Sequence, residues 1–409
     1  MTGFGLFAAV LLAYTLLSKR LAGTVISPAM VFALGGLAVG VAGGADIKPT
    51  ELEAGQQEAV LLVAEIALAL VLFADAATLG LRRLREDSGL PDRLLGIGLP
   101  ITIGVGVLVG LALLGHLDIW EVLLLGALLA PTDAALAAPV VADSRVPKRV
   151  RNGLDVEAGL NDGVCVPVVM FALAAAVALE GSPEHGLAHE AVVIIGGGIL
   201  VGGIAGAIGG RLVALAMARG TVAAATEPMA LVALALVTFF AADAIGASGF
   251  IAAFVAGLLA AAPLGDRRGR LTEFMDEDGQ LLSFAIFYVF GILAAGVLDQ
   301  LTWEVAGYAV LSLTVARMVP VALAVIGTGL RPPTVAFMGW FGPRGIASIA
   351  LLFVVISEEP GLPGMATIET TVVATVLLSI VLHGVSAAPL VARYADWAKT
   401  LPEGSSELT

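Results

Sequence analysis

The chain has 409 residues, a formal charge of −13, 59 % hydrophobic against 13 % charged residues, and a mean hydropathy of +1.00. Too few polar side chains remain to coat a globule, so a soluble domain is excluded and a polytopic membrane protein is implied. Small, scattered groups of Lys and Arg argue against a nucleic-acid surface, and the single Cys165 rules out an internal disulfide and reads as a packed thiol.

Apolar runs between polar breaks give about thirteen spans of membrane-crossing length. In chain order they cover roughly 3–18, 25–44, 55–80, 92–115, 118–142, 153–180, 188–217, 222–243, 246–263, 279–298, 303–329, 332–357 and 366–392. The first has its basic pair, Lys19 and Arg20, behind it rather than before it, so it reads as a retained helix and not a signal peptide. The third carries Asp75 near its cytoplasmic end. The fifth is interrupted by Ala130-Pro131-Thr132-Asp133 and the twelfth by Gly342-Pro343-Arg344-Gly345. Proline removes a helix hydrogen bond and glycine loosens the backbone, so both places are predicted to unwind and offer free backbone groups. The sixth span holds Glu157, Asp162 and Asn161, one of only two asparagines in the chain. An ionisable group in a membrane helix is expensive and is read by default as functional. The eleventh holds Arg317 and the thirteenth His383, read here as a packing group although imidazole is pH-sensitive. His116, His185 and His189 fall in outer loops. Asp155 and Asp243 sit near span ends, where solvation is the default, and the acidic run Glu273, Asp276, Glu277, Asp278 is predicted to be a solvated cytoplasmic loop.

Orientation follows from the basic residues. Eighteen of the 21 Lys and Arg residues lie in the loops after odd-numbered spans and in the C-terminal tail, Lys48 alone lies on the other side, and Arg317 and Arg344 lie inside spans. By the positive-inside rule the N-terminus is outside and the C-terminus cytoplasmic. If the seventh span, 188–217, is a linker, each span runs opposite to the one seven places later, which is an inverted repeat of the kind found in secondary transporters. The two interrupted spans then correspond. Asp133 and Asp162 each lie nine residues from a cytoplasmic helix end, roughly 14 Å at helical rise and so close to the midplane.

A carboxylate in a partly dehydrated cavity is neutralised by a proton or by a small cation, but poorly by both at once, and such competition is sufficient for exchange. Asp162 is the candidate carrier, with Thr132 and carbonyls of the fifth-span break as the oxygen ligands hard cations prefer. Asp133 reads equally as a ligand or as an organiser of the helix break, and Thr132 has the alternative of bonding its own backbone. Arg344 is placed to hold free carbonyl ends or the Asp133 carboxylate. No His-Glu-x-x-His or Gly-x-Ser-x-Gly pattern occurs, which disfavours an enzyme. A sodium-coupled organic solute carrier on a similar core remains the rival reading.

Glu157-Ala158-Gly159-Leu160-Asn161-Asp162-Gly163 resembles the Glu-Ser-x-x-Asn-Asp-Gly motif of the monovalent cation/proton antiporters, in their sodium/proton exchanger (Asn-Asp, NhaP-type) branch. Thr132-Asp133 is similar to that family's Thr-Asp-Pro break and Gly342-Pro343-Arg344-Gly345 to its Gly-x-Arg-Gly; Leu72-Phe73-Ala74-Asp75 and Ser248-Gly249-Phe250-Ile251-Ala252 are fainter echoes. Two positions depart from the pattern: Ala158 replaces the serine and Ala134 the proline, and the lost hydroxyl bears on which cation is preferred. The resemblance implies an all-α fold of two inverted repeats with crossed broken helices, and electroneutral exchange of Na+, with Li+ or K+ as alternatives, for H+. It implies a structural ion pair of Glu157 with Arg317, a cytoplasmic access funnel near Asp75, and no cofactor beyond the transported ions. It further implies a homodimer in a bacterial inner membrane. Residues 1–90 and 222–300 would form the dimerisation scaffold and 91–180 and 301–395 the moving core, with 396–409 a short cytoplasmic tail.

Overall fold

The computed structural model describes residues 2–21, 24–43, 54–86, 89–180, 192–224, 226–359 and 361–408. Lys48, His185 and His189 lie outside the described residues. The described residues are all-helical, in fifteen helices. These are α1 (Thr2–Leu21), α2 (Pro28–Ala42), α3 (Ala54–Glu86), α4 (Leu90–Leu113), α5 (Ile119–Leu128), α6 (Ala134–Val141), α7 (Lys148–Glu180) and α8 (Val192–Ala218). They continue with α9 (Glu227–Asp243), α10 (Gly249–Ala260), α11 (Arg268–Ala294), α12 (Trp303–Ala324), α13 (Pro332–Trp340), α14 (Ile346–Glu358) and α15 (Met365–Ala398). Six stretches among them are long and apolar enough to cross a membrane, and the protein is a multi-pass membrane protein.

Two readings of the sequence need correction. The acidic run Glu273 to Asp278 lies within α11, which starts at Arg268, rather than in a loop. Carboxylates report solvation and not loss of helicity, so charge alone misplaced the helix start. The eleventh span is also broken at Thr314 (φ −110°, ψ −84°) inside α12. The Thr314 hydroxyl donates to the Val310 carbonyl at 2.6 Å, and Pro320 has no N–H for the Ala316 carbonyl four residues back, two causes that bend a helix just before Arg317.

The chain divides into two compact units. One comprises residues 1–61, 89–161 and 284–409. Its interior joins Leu94 of α4, Val140 of α6, Val150 and Leu154 of α7, Met338 of α13 with Phe341 just beyond it, and Val391 and Tyr394 of α15, all buried. The turn between α6 and α7 is tied by Asp143 and Arg145, whose guanidinium holds the Asp143 carboxyl below the usual carboxylate range.

The other unit comprises residues 62–88 and 162–283. Its main contact is built from small residues: Gly202, Gly206 and Gly210, four apart on α8, face Ala252, Ala256 and Ala260, four apart on α10. A Cβ on Gly206 would lie 2.6 Å from the Ala256 Cα, so the backbones approach as closely as glycine alone allows. Gly206→Leu is therefore expected to cost about 1–3 kcal/mol through overpacking, read as a lower thermal midpoint in detergent, while the half-buried Gly203, where an added Cβ meets open space, tolerates Ala.

The tail beyond α15 folds back onto the first unit. Glu407, completely buried, accepts the Arg331 N–H at 2.8 Å and the Thr334 hydroxyl at 3.2 Å, while Arg149 donates to the Ser406 carbonyl. Pro332 and Pro333 open α13 and have no N–H, so a carboxylate distant in sequence caps its positive end. Glu407→Ala is expected to lower stability by about 1 kcal/mol, and thermal unfolding in detergent would register it.

Candidate functional site

Two half-helix pairs meet in the first unit, and the residues that break them hold them together. Chain 129–133 is non-helical between α5 and α6, and chain 341–345 between α13 and α14. Asp133 caps α6 through its Oδ1, which accepts the Leu136 N–H at 2.8 Å. Its Oδ2 accepts the Ile346 N–H, the first of α14, at 2.6 Å. Its own N–H donates to the Pro343 carbonyl at 2.7 Å. One carboxylate thus bridges the positive ends of two helices. Arg344, wholly buried, does the converse: its guanidinium donates to the Ala130 carbonyl and, at 3.0 Å, to the Pro131 carbonyl, at the negative end of α5. Its backbone N–H donates to Ser379 Oγ at 2.7 Å, and the Ser348 hydroxyl donates to the Leu128 carbonyl at 2.7 Å.

The glycines of the twelfth-span break are required by this closeness. A Cβ on Gly345 would stand 2.6 Å from the carboxyl carbon of Asp133, and one on Gly342 would stand 2.8 Å from the guanidinium carbon of Arg317. Arg317 pairs in fork fashion with Glu157: Nη2 donates to Oε2 at 2.9 Å and Nη1 to Oε1, with 5 % and 3 % of the two side chains exposed. One turn along α7, Asn161 donates from Nδ2 to Thr132 Oγ1 at 2.6 Å. Its Oδ1 is buried with no hydrogen-bond partner among the described residues. An amide oxygen held in place by its other end and aimed at no donor is an acceptor available to a cation.

Asp162, the next residue of α7, belongs to the second unit and is buried, with 6 % of its surface exposed. Asp75 of α3, also in that unit, is half-buried. Within the first unit the structure therefore brings together Thr132 with Asn161, Asp133 with the Arg344 segment, and Glu157 with Arg317. Thr132 serves the Asn161 amide, and Arg344 contacts carbonyls rather than the Asp133 carboxylate.

Several polar groups of this region escaped the sequence reading, which singled out His383 alone among those on α15, as a packing group. Thr367, Thr371, Thr375, Ser379 and His383 stand four apart on α15, and the last four are buried. That spacing places them on one helix face and was legible in the sequence. Glu121 completes a capping box with Asp118 and accepts the Gly364 N–H at 2.6 Å, and its Asp-x-x-Glu spacing was a signal as well.

The fold has a counterpart among solved structures. The structure of the sodium proton antiporter MjNhaP1 from Methanocaldococcus jannaschii superposes with a TM-score of 0.74 over 94 % of this chain and 99 % of that one, at 21 % sequence identity, which establishes a shared fold. Among curated proteins, an Escherichia coli protein described as the uncharacterized Na(+)/H(+) exchanger YjcE is 29 % identical over 49 % of this chain and 39 % of its own length. The Na(+)/H(+) antiporter NhaG of Bacillus atrophaeus is 26 % identical over 68 % of this chain and 53 % of its own, and the K(+)/H(+) antiporter NhaP2 of a Shewanella species 26 % over 86 % and 60 %. The chain spans about half the length of these curated relatives. The family model for the transmembrane part of the sodium/hydrogen exchangers matches residues 7–393, nearly the whole helical bundle including both helix breaks and the Asn161-Asp162 step, and the chain belongs to that family.

Proposed function

We propose that the protein is a secondary antiporter that exchanges a monovalent cation, Na+ first among the candidates, for H+ by alternating access. Asp162 is the carboxylate that takes either ion, and Asn161 and Thr132 are ion-binding residues serving the same exchange. The observation that carries this reading is the buried Oδ1 of Asn161, an oxygen acceptor fixed in place immediately before a buried carboxylate. Asn161 does not titrate, so one carboxylate moves one charge per cation and exchange is electroneutral. Asp133 and Arg344 are organisers of the helix crossing, Glu157 and Arg317 a structural pair, and Asp75 lines the cytoplasmic access funnel. The protein works as a homodimer in a bacterial inner membrane, with thirteen crossings, its N-terminus outside and its C-terminus in the cytoplasm. The core of residues 91–180 and 301–395 moves against a scaffold of residues 1–90 and 222–300.

Purified protein in proteoliposomes loaded with a pH-sensitive dye is expected to dequench the dye on addition of Na+ without any organic solute. A requirement for an organic solute, or turnover that follows an imposed membrane potential, would overturn the reading. K+/H+ exchange is the second reading, favoured by the relatives named as K(+)/H(+) antiporters, whose matches cover 86 % of this chain. Dequenching by K+ but not by Na+ would select it.

A further inference from the structure

His383 lies between two carbonyl groups. Its Nε2 is 2.9 Å from the Trp340 carbonyl at the end of α13, and its Nδ1 is 3.0 Å from the Ser379 carbonyl and 3.2 Å from the Ser379 hydroxyl, one turn back on α15. The same hydroxyl accepts the Arg344 N–H at 2.7 Å. A hydrogen-bonded chain therefore runs from Trp340 through His383, Ser379 and Arg344 to the Ala130 and Pro131 carbonyls, linking the ends of both broken helices.

The proton count along this chain is constrained. A carbonyl only accepts, so Nε2 carries a hydrogen toward Trp340. With a neutral ring, Nδ1 has only its lone pair and takes the Ser379 hydroxyl hydrogen. With a second ring proton, Nδ1 donates to the Ser379 carbonyl, and the hydroxyl hydrogen must turn elsewhere. The two states differ in how Ser379 presents itself to Arg344. The second state also adds a positive charge where the charged neighbours are Arg344 and Arg317, the latter paired with Glu157; α13 faces the ring with Trp340, at a centroid distance of 5.2 Å.

We infer that Ser379 and His383 are positioning residues for the exchange. They set how Arg344 holds the helix crossing, and protonation of His383 weakens cation binding by adding a charge behind that crossing. The inference rests on the exchange reading above. Competition between one proton and one cation raises the cation KM by about tenfold per unit fall in pH, and a second linked proton steepens that dependence.

The test measures cation-dependent dequenching by wild-type, H383Q, S379A, S379T and D162N proteoliposomes from about pH 5.5 to 8.5, which brackets the imidazole range. Gln retains a donor for Trp340 and an acceptor for Ser379 but does not titrate, and H383N serves where H383Q fails to fold, as judged by its thermal midpoint. Wild type is expected to show a KM rising more steeply than tenfold per pH unit, and H383Q to show the single-proton slope of about tenfold. S379A is expected to lose maximal rate several-fold, with S379T restoring it. An unchanged slope in the untitratable variant overturns the inference while leaving the exchange reading intact. Wild-type proteoliposomes that show no cation-dependent dequenching overturn the exchange reading instead, and exchange by D162N removes Asp162 from the carrier role.

Discussion

Asp162→Asn is expected to reduce cation/proton exchange to the level of protein-free vesicles while the purified protein unfolds at the same temperature or a higher one. The substitution preserves size and removes only the titratable charge. Asp162 is 6 % exposed in a long apolar helix, where a carboxylate carries a desolvation cost that the neutral amide lacks. If the charge is retained for exchange, transport disappears and stability does not. Dye dequenching together with a thermal melt reads both, and residual exchange above background with an intact fold would remove Asp162 from the carrier role.

Glu157→Gln is expected to do the reverse. The Glu157–Arg317 fork is buried on both sides, and removing one partner strands the other cation away from water, a loss of about 3–5 kcal/mol. The effect reaches the crossing, because Gly342 packs against the Arg317 guanidinium, so a displaced Arg317 presses on the non-helical chain that carries Arg344. The double variant Glu157→Gln with Arg317→Met, which leaves no orphan charge, is expected to recover part of the loss, and a double-mutant cycle of unfolding free energies measures the coupling. Cation KM should change little in the single variant at temperatures where it stays folded. A changed KM with unchanged stability would show the pair to be part of ion binding.

Much of the fold was legible because apolar length and helix breakers act locally. Each apolar run holds one helix or two among the described residues, and the backbone unwinds at both Ala130-Pro131-Thr132-Asp133 and Gly342-Pro343-Arg344-Gly345. The start of α11 was not legible, since the acidic run that suggested a loop is compatible with a solvated helix. The bend at Thr314 was missed for a related reason, as threonine bends a helix only when its hydroxyl turns back to the chain.

For the site, the sequence by itself determined which polar groups are dear enough to need a purpose: Asp162, Asn161, Asp133, Glu157, Arg317 and Arg344 stand out because each sits in an apolar run. It did not determine their partners. That Asp133 caps two helices, that Arg344 takes carbonyls and not that carboxylate, that Thr132 receives the Asn161 amide, and that Ser379 and His383 complete the chain behind them depend on contacts spanning between 29 and 214 positions. Glu407 caps α13 across 76 positions for the same reason. A buried donor or acceptor must find some complement, so burial can be read from composition. Which complement it finds is decided only when the packed helices bring particular atoms within hydrogen-bond reach.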